Sequence, residues 1–390
     1  MMNRHIIGML LAAAFLLFSP AADGQILTGA DQLMSDTACL QPLRGRRVAL
    51  VGNQTSVVDS VHVADTLRSS GIRIQKIFCP EHGFRGNVQA GSLIASSTDP
   101  KTGIPIVSLY GSNKKPTFAQ MRDVDVVVFD LQDVGCRFYT YISTLHYVME
   151  ACAESHVPLY VLDRPNPNGH YVDGPVLERG LRSFVGMHPV PIVYGMTIGE
   201  YALMINGEYW LHDSLQCDLH VVQLSGYTHQ SRYSLPVAPS PNLPNDQAVA
   251  LYPSLCLFEG CNVSVGRGTE WPFQVIGSPY YKGDSTFRFK PQVVHGAAEN
   301  PLFKNQTCRG LDLREAEVQP CFDLGYLREM YRGNGQHEFF LSNNFFEKLA
   351  GTARLRSQIK QGLTDEQIRQ SWEPALSEFK AIREKYLLYE

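Results

Sequence analysis

The sequence predicts an α/β protein, with a Rossmann-like parallel sheet in an N-terminal domain and a smaller α+β C-terminal domain. Three observations carry this. Short runs rich in Val, Ile and Leu alternate with helical patterns between Arg47 and Leu162, which implies right-handed crossovers and a sheet covered on both faces. Each run ends in polar residues, and in a parallel sheet those ends share one edge. A proline-rich stretch at 236–244 (P-V-A-P-S-P-N-L-P) suits neither helix nor inner strand, and it divides the chain into domains at 25–237 and 238–390.

The first 24 residues read as a signal peptide rather than structure. Arg4 and His5 precede an apolar run at 6–18, too short to span a bilayer, and small residues follow at Ala21, Ala22 and Gly24. With no later run apolar enough for a membrane span, the expected mature protein is exported, periplasmic or secreted, and not inserted in a membrane. A length of 390 residues with 44% hydrophobic and 18% charged residues is that of a globular protein with room for two domains. The formal net charge of −4, without a basic tract, argues against nucleic acid as partner.

The first strand is predicted at 47–52 (R-V-A-L-V-G), ending in Asn53, with a helix from 61 to 70 stopped by Gly71. The second, I-Q-K-I-F-C at 74–79, is stopped by Pro80 and followed by Glu81, His82 and Arg85, with Gly83 and Gly86 permitting sharp turns. A third strand at 105–109 ends at Tyr110. The fourth, at 124–131, ends in Asp130, Gln132, Asp133 and Arg137. A helix over 139–155 comes next, with Ile142, Leu145, Met149 and Cys152 on one face. The fifth, at 158–162, ends in Asp163, Arg164 and Asn166. These loops converge on one crevice, so a carboxylate, an imidazole and a guanidinium on one tight loop there read as reactive groups and not as solvated turn residues.

In the second half, G-M-T-I-G-E at 195–200 opens a helix, with Thr197 as N-cap and Glu200 completing a capping box or serving a ligand. Asn242 lies in the proline-rich stretch. Further on, G-R-G-T-E-W at 266–271 supplies Arg267, Thr269 and Glu270, an anion fork and hydrogen-bonding groups beside a flat Trp271 face. The tail from 345 to 389 is predicted helical, packed by Trp372, Leu376 and Phe379. Neither a phosphate-binding glycine motif nor G-x-S-x-G nor HExxH occurs, so no nucleotide cofactor and no metal is expected. Nine cysteines leave at least one thiol free; 308 with 321 and 256 with 261 are possible bridges.

The ordered motifs P-E-H-G-F-R-G, D-L-Q-D-V-G-C-R-F-Y-T-Y, L-D-R-P-N-P-N-G, G-M-T-I-G-E, P-S-P-N-L-P and G-R-G-T-E-W-P-F run from Pro80 to Phe273. Together they closely resemble the NamZ family of exo-β-N-acetylmuramidases, over nearly the whole mature chain. The resemblance implies a glycoside hydrolase that releases N-acetylmuramic acid from the non-reducing end of peptidoglycan fragments, with the active site between two domains. It makes Glu81 the catalytic glutamate. Tyr139 falls within the second motif and joins the expected substrate-binding residues.

Glycoside cleavage needs a proton donor, and either a nucleophile or an activated water on the opposite face. Glu81 beside His82 suits the donor. For the second group, Asp130, Asp133, Asp163, Glu200 and the substrate's own acetamido group are all candidates. A paired cation is expected for the lactyl carboxylate of the sugar, with Arg137 and Arg267 ranked above Arg164. Two other readings are a non-catalytic muropeptide-binding protein and a metal-dependent amidase or deacetylase using His82 with Asp130.

Overall fold

The computed structural model describes residues 25–80, 83–85, 97–335 and 337–390. Residues 1–24, assigned to a signal peptide, lie outside them, as do Glu81 and His82. Helix α1 (Gly29–Ser35) starts from a reciprocal cap between Thr28 and Asp31, and α2 (Thr37–Leu40) leads into β1 (Val48–Gly52). A small hairpin, β2 (Val57–Val58) and β3 (Val61–His62), turns at Asp59 with φ +53°. It takes the positions where the sequence pattern started a helix, so α3 runs only over Val63–Ser69.

The sheet continues through β4 (Ile74–Cys79), β5 (Ser97–Thr98), β6 (Pro105–Ser108), α4 (Phe118–Met121), β7 (Val126–Asp130), α5 (Tyr141–Ser155), β8 (Leu159–Leu162), α6 (Ile198–Gly207) and β9 (Leu219–Val222). The strand order is β5-β6-β4-β1-β7-β8-β9, parallel throughout except for the antiparallel edge strand β5. The chain builds outward from β1 through β4 to β6, then returns to add β7, β8 and β9 on the other side. The order therefore reverses between β1 and β7, where open α/β sheets form their ligand crevice. In register, Val51 pairs with Phe78 and Gly52 with Asp130, so the strands' C-terminal ends are level there.

Alternation along the strands fills both faces. Val48, Leu50, Val126 and Val128 pack with Leu33, Ala64 and Leu67 of α1 and α3. Ala49, Val51, Val127 and Phe129 pack with Ile142, Leu145 and Met149 of α5. Each of the larger of these side chains, from valine upward, contributes roughly 1.5–3 kcal/mol by leaving water.

The second part opens with α7 (Asp246–Leu255), followed by an antiparallel sheet of β10 (Val275–Ser278), β11 (Arg288–Phe289) and β12 (Cys308–Asp312), with β12 in the middle. Helices α8 (Gly325–Gly333), α9 (Phe345–Ala350), α10 (Arg354–Lys360), α11 (Asp365–Gln370) and α12 (Glu373–Arg383) complete it. Trp372, Leu376 and Phe379 are buried in the same apolar cluster as α5 and α6, so one core runs through both parts.

Arg137 ties the two parts together. Its guanidinium is fully buried and donates to the carbonyls of Pro175 and Val190, each at 2.7 Å, and of Leu349 at 2.9 Å. Burial lowers its pKa to about 9, which leaves it charged at neutral pH. Gly351, with φ +75°, passes so close that a Cβ there would lie 2.4 Å from the guanidinium.

All nine cysteines are free thiols, including those weighed as bridges; Cys256 faces Glu259, and Cys261 faces the Leu257 carbonyl. No helix among the described residues is long and apolar enough to cross a membrane.

Candidate active site

A crevice of about 270 Å³ lies where the strand order reverses and the second part closes over the sheet. One wall comes from the loop after β7 and the start of α5, with Tyr139 and Tyr141. The other comes from the proline-rich stretch and the second part, with Asn242, Tyr252, Glu259, Arg267 and Phe273. Asn53, at the end of β1, donates to the Tyr141 hydroxyl at 2.6 Å, and Tyr139 donates to the Pro239 carbonyl at 2.8 Å. Gln54 donates to the carbonyls of Ala238 and Pro239, which seats the proline-rich stretch over the sheet edge.

Arg267 donates from Nε to Glu259 at 2.6 Å, and its guanidinium lies 5.2 Å from the Phe273 ring centre. Among the described residues its two terminal nitrogens make no hydrogen bond, so the fork's outer edge is available to a carboxylate. Phe273 holds φ +55°, a backbone strain that places its ring beneath the arginine. Thr269 serves the turn itself, donating to the Gly266 carbonyl and accepting from the Trp271 amide, while Glu270 is exposed. Asn242 lines the crevice and donates to the Ala297 carbonyl.

Several polar residues expected to meet a ligand instead hold the loops. Asp130 takes both of its hydrogen bonds from Arg164, one of them at 3.0 Å, and both side chains are buried. The Arg164 pair therefore spans two strands instead of closing within its own loop. Arg137, ranked among the best candidates for carboxylate recognition, is in the carbonyl cage between the two parts and faces no crevice.

Arg85 forms ion pairs with Asp99 at 2.8 Å and Asp65 at 3.2 Å, holding the Asp99 carboxyl well below the usual carboxylate range. Gln132 donates to the carbonyls of Asp133 and Pro165, and Asn166 donates to that of Met196. Asp163 accepts from Arg164, Gly199, Thr197 and the Tyr389 hydroxyl, which fixes it to the start of α6. Glu200 forms the capping box with Thr197 and accepts from His229 and the amides of Leu388 and Tyr389.

Glu81 and His82 stand outside the described residues, but the chain is anchored on both sides of them. Cys79 ends β4 beside β1; Phe84 is buried 4.4 Å from the His62 ring, and Arg85 carries its two ion pairs. Of the carboxylates weighed as the second catalytic group, none of the four lines the crevice; Asp133 accepts from Gly135 and Tyr194 through one oxygen, and the other three are held by the partners above. The one that lines the crevice among the described residues is Glu259, which sequence reasoning left without a role. Tyr141 and Tyr252 were missed too, because an aromatic on an apolar helix face looks the same whether it packs or lines a cleft. Among the described residues no group of three or more His, Cys, Asp or Glu is placed to hold a metal ion.

Two of the loop aspartates carry a pH signature. Burial raises the Asp133 carboxyl to about 7, against the pull of hydrogen bonds from Tyr194 and Gly135, and raises Asp163 to about 6. An acid that binds its proton more tightly when folded lends stability that is full below the unfolded value, about 4, and is lost as pH rises through the folded value. Wild-type unfolding free energy is therefore expected to carry a downward contribution between about pH 4 and 7, which Asp133→Asn removes. Urea midpoints at pH 5 and 7.5 measure it; an identical wild-type and variant difference between the two would refute the assignment.

An aromatic crevice with an arginine fork lies at the switch point of the parallel sheet of this α/β protein, where a second domain closes over it. The chain belongs to the exo-β-N-acetylmuramidase NamZ family, whose N-terminal and C-terminal models match residues 48–247 and 250–389. It is similar to the peptidoglycan β-N-acetylmuramidase NamZ of Bacillus subtilis (strain 168), with 38% identity over 387 residues, 94% of this chain and 92% of the relative. Crystal structures of two DUF1343 family proteins from Bacteroides fragilis NCTC 9343 share the fold. One superposes with a TM-score of 0.86 at 43% identity, the other with 0.79 at 29%, each covering 94% of this chain and 99% of its own.

Proposed function

We propose that this protein is an exo-acting glycoside hydrolase that releases N-acetylmuramic acid from the non-reducing end of peptidoglycan fragments, in cell-wall turnover or salvage. The observation that carries this reading is the crevice at the β1/β7 switch point, with its arginine fork, in a chain that belongs to the NamZ family. Glu81, directly after Pro80 at the end of β4, is the proton donor to the leaving oxygen, with His82 beside it. The second group is Glu259 or the acetamido group of the sugar, since the other carboxylates weighed are bound up in the loops. Residues 1–24 act as an export signal, and the enzyme works outside the cytoplasm on a MurNAc-terminated oligosaccharide. Incubation with a MurNAc-terminated disaccharide, followed by NMR, tests the reading through the free sugar and its anomer. Absence of free N-acetylmuramic acid would overturn it.

Arg267 pairs with the lactyl carboxylate, which distinguishes this sugar from N-acetylglucosamine. A hydrogen bond to a charged partner contributes roughly 1.5–3 kcal/mol, so Arg267→Ala is expected to lower kcat/KM on a muramide by about ten- to a hundredfold. The loss on the matching glucosaminide is expected to be much smaller. Equal losses on both sugars would remove Arg267 from this role.

A further inference from the structure

A larger cavity, of about 450 Å³, opens on the helical side of the N-terminal domain. Between it and the crevice runs a tight hairpin in which Ser183 and Gly186 exchange both backbone hydrogen bonds. Val185 at the hairpin tip lines the crevice, whereas Arg182 and Met187 at its base line the cavity. The two spaces are therefore a few residues of chain apart.

The cavity presents an aromatic pair and two guanidinium groups. Tyr209 and Trp210 follow α6 directly, and Tyr209 is 56% exposed. The end of α6 closes with the Tyr209 amide on the Asn206 carbonyl and the Trp210 amide on that of Ile205. That closure puts Tyr209 at φ +56°, where glycine is the usual residue. An aromatic there carries backbone strain that packing does not offset, because the ring is exposed.

Trp210 is held flat by His188, whose ring stacks on it at 4.9 Å and 17°. His188 is itself fixed by the Tyr201 hydroxyl at 3.0 Å and His146 at 2.9 Å. Arg179 and Arg182 flank the aromatics. Among the described residues neither guanidinium has a carboxylate partner, and Arg182 contacts only the Met187 sulfur, at 3.3 Å.

A rigid aromatic face offers the apolar side of a pyranose ring a flat surface, and two unpaired guanidinium groups beside it select an anionic substituent. We propose that this cavity is a second, non-catalytic site for a carboxylate-bearing sugar, which holds a glycan strand while the crevice acts on a chain end. The proposal rests on the reading of the crevice as a muramidase site for the identity of the glycan, though not for the binding chemistry.

The test uses the full protein and three variants, Arg179→Ser with Arg182→Ser, Trp210→Ala, and Tyr209→Gly. Cosedimentation with insoluble peptidoglycan measures retention, and a chromogenic muramide measures turnover at the crevice. The arginine double variant and Trp210→Ala are each expected to weaken retention about tenfold, as for loss of one charged hydrogen bond or stacking contact, with small-substrate turnover within about twofold of wild type. Tyr209→Gly relieves the strain and is expected to raise the unfolding midpoint while lowering retention. Wild-type retention by the arginine double variant would overturn the proposal. So would competition of retention by polyglutamate but not by soluble MurNAc-containing oligosaccharides, which would make it a peptide site. If wild type binds peptidoglycan through these residues but turns over no muramide, the muramidase reading fails and this site stands.

Discussion

Glu81→Gln is expected to cost on the order of 10²–10⁴ in kcat on a muramide while leaving the unfolding midpoint nearly unchanged. Strand β4 neighbours β1 in register, and β1 and β7 flank the reversal of strand order at which the crevice forms. Glu81 follows Pro80, which has no amide hydrogen with which to continue the ladder beyond Cys79. On the other side the buried Phe84 and the doubly paired Arg85 hold the chain. Glutamine keeps the shape and the hydrogen-bonding reach but has no proton to give to a leaving oxygen. A variant that retained more than about a tenth of the wild-type kcat would remove Glu81 from the role of general acid.

Removing Arg164 is expected to cost stability instead. Its guanidinium meets the Asp130 carboxylate in two hydrogen bonds and reaches the Val57 carbonyl at 3.2 Å. Asp130 is wholly buried, and its oxygens have this arginine as their charged partner. Arg164→Met leaves an ionised carboxylate in the interior without compensation, which typically costs about 3–5 kcal/mol. Arg164→Met combined with Asp130→Leu removes both charges and is expected to recover most of that loss. Urea unfolding of the two variants measures it. Additive losses would show that the residues act independently and that the pair is not what holds the loops.

Much of the parallel sheet was legible because its cause is local. Strands such as V-A-L-V-G and V-V-V-F-D are buried on both faces and read as unbroken apolar runs, and Thr197 and Glu200 form the capping box their spacing announces. Strands β5 and β9 were missed because S-T and L-H-V-V carry exposed or half-exposed side chains and lack that signal. The site was legible in location but not in the duties of its residues. Arg137 and Arg267 look alike in sequence, each next to a glycine-containing turn. Which one faces a cleft and which sits in a cage of carbonyls depends on Pro175, Val190, Leu349 and Glu259, partners distant along the chain. The capping box hid a second duty of Glu200 for the same reason.

That second duty bears on the order in which the molecule assembles. The carboxylates of Asp163 and Glu200, at the top of β8 and the start of α6, receive donors from Tyr389 and Leu388 across 226 and 188 residues of sequence. Contacts of such separation are formed only after the entropy of closing a very long loop has been met. While a nascent chain is being synthesised, the strands and helices of the sheet can form before these donors exist, and the two acids wait with unfilled acceptors. The loop after β8 and the start of α6 therefore gain their last partners only once the C-terminal residues arrive, so a chain held unfinished carries a sheet whose β8 and α6 ends still lack these donors.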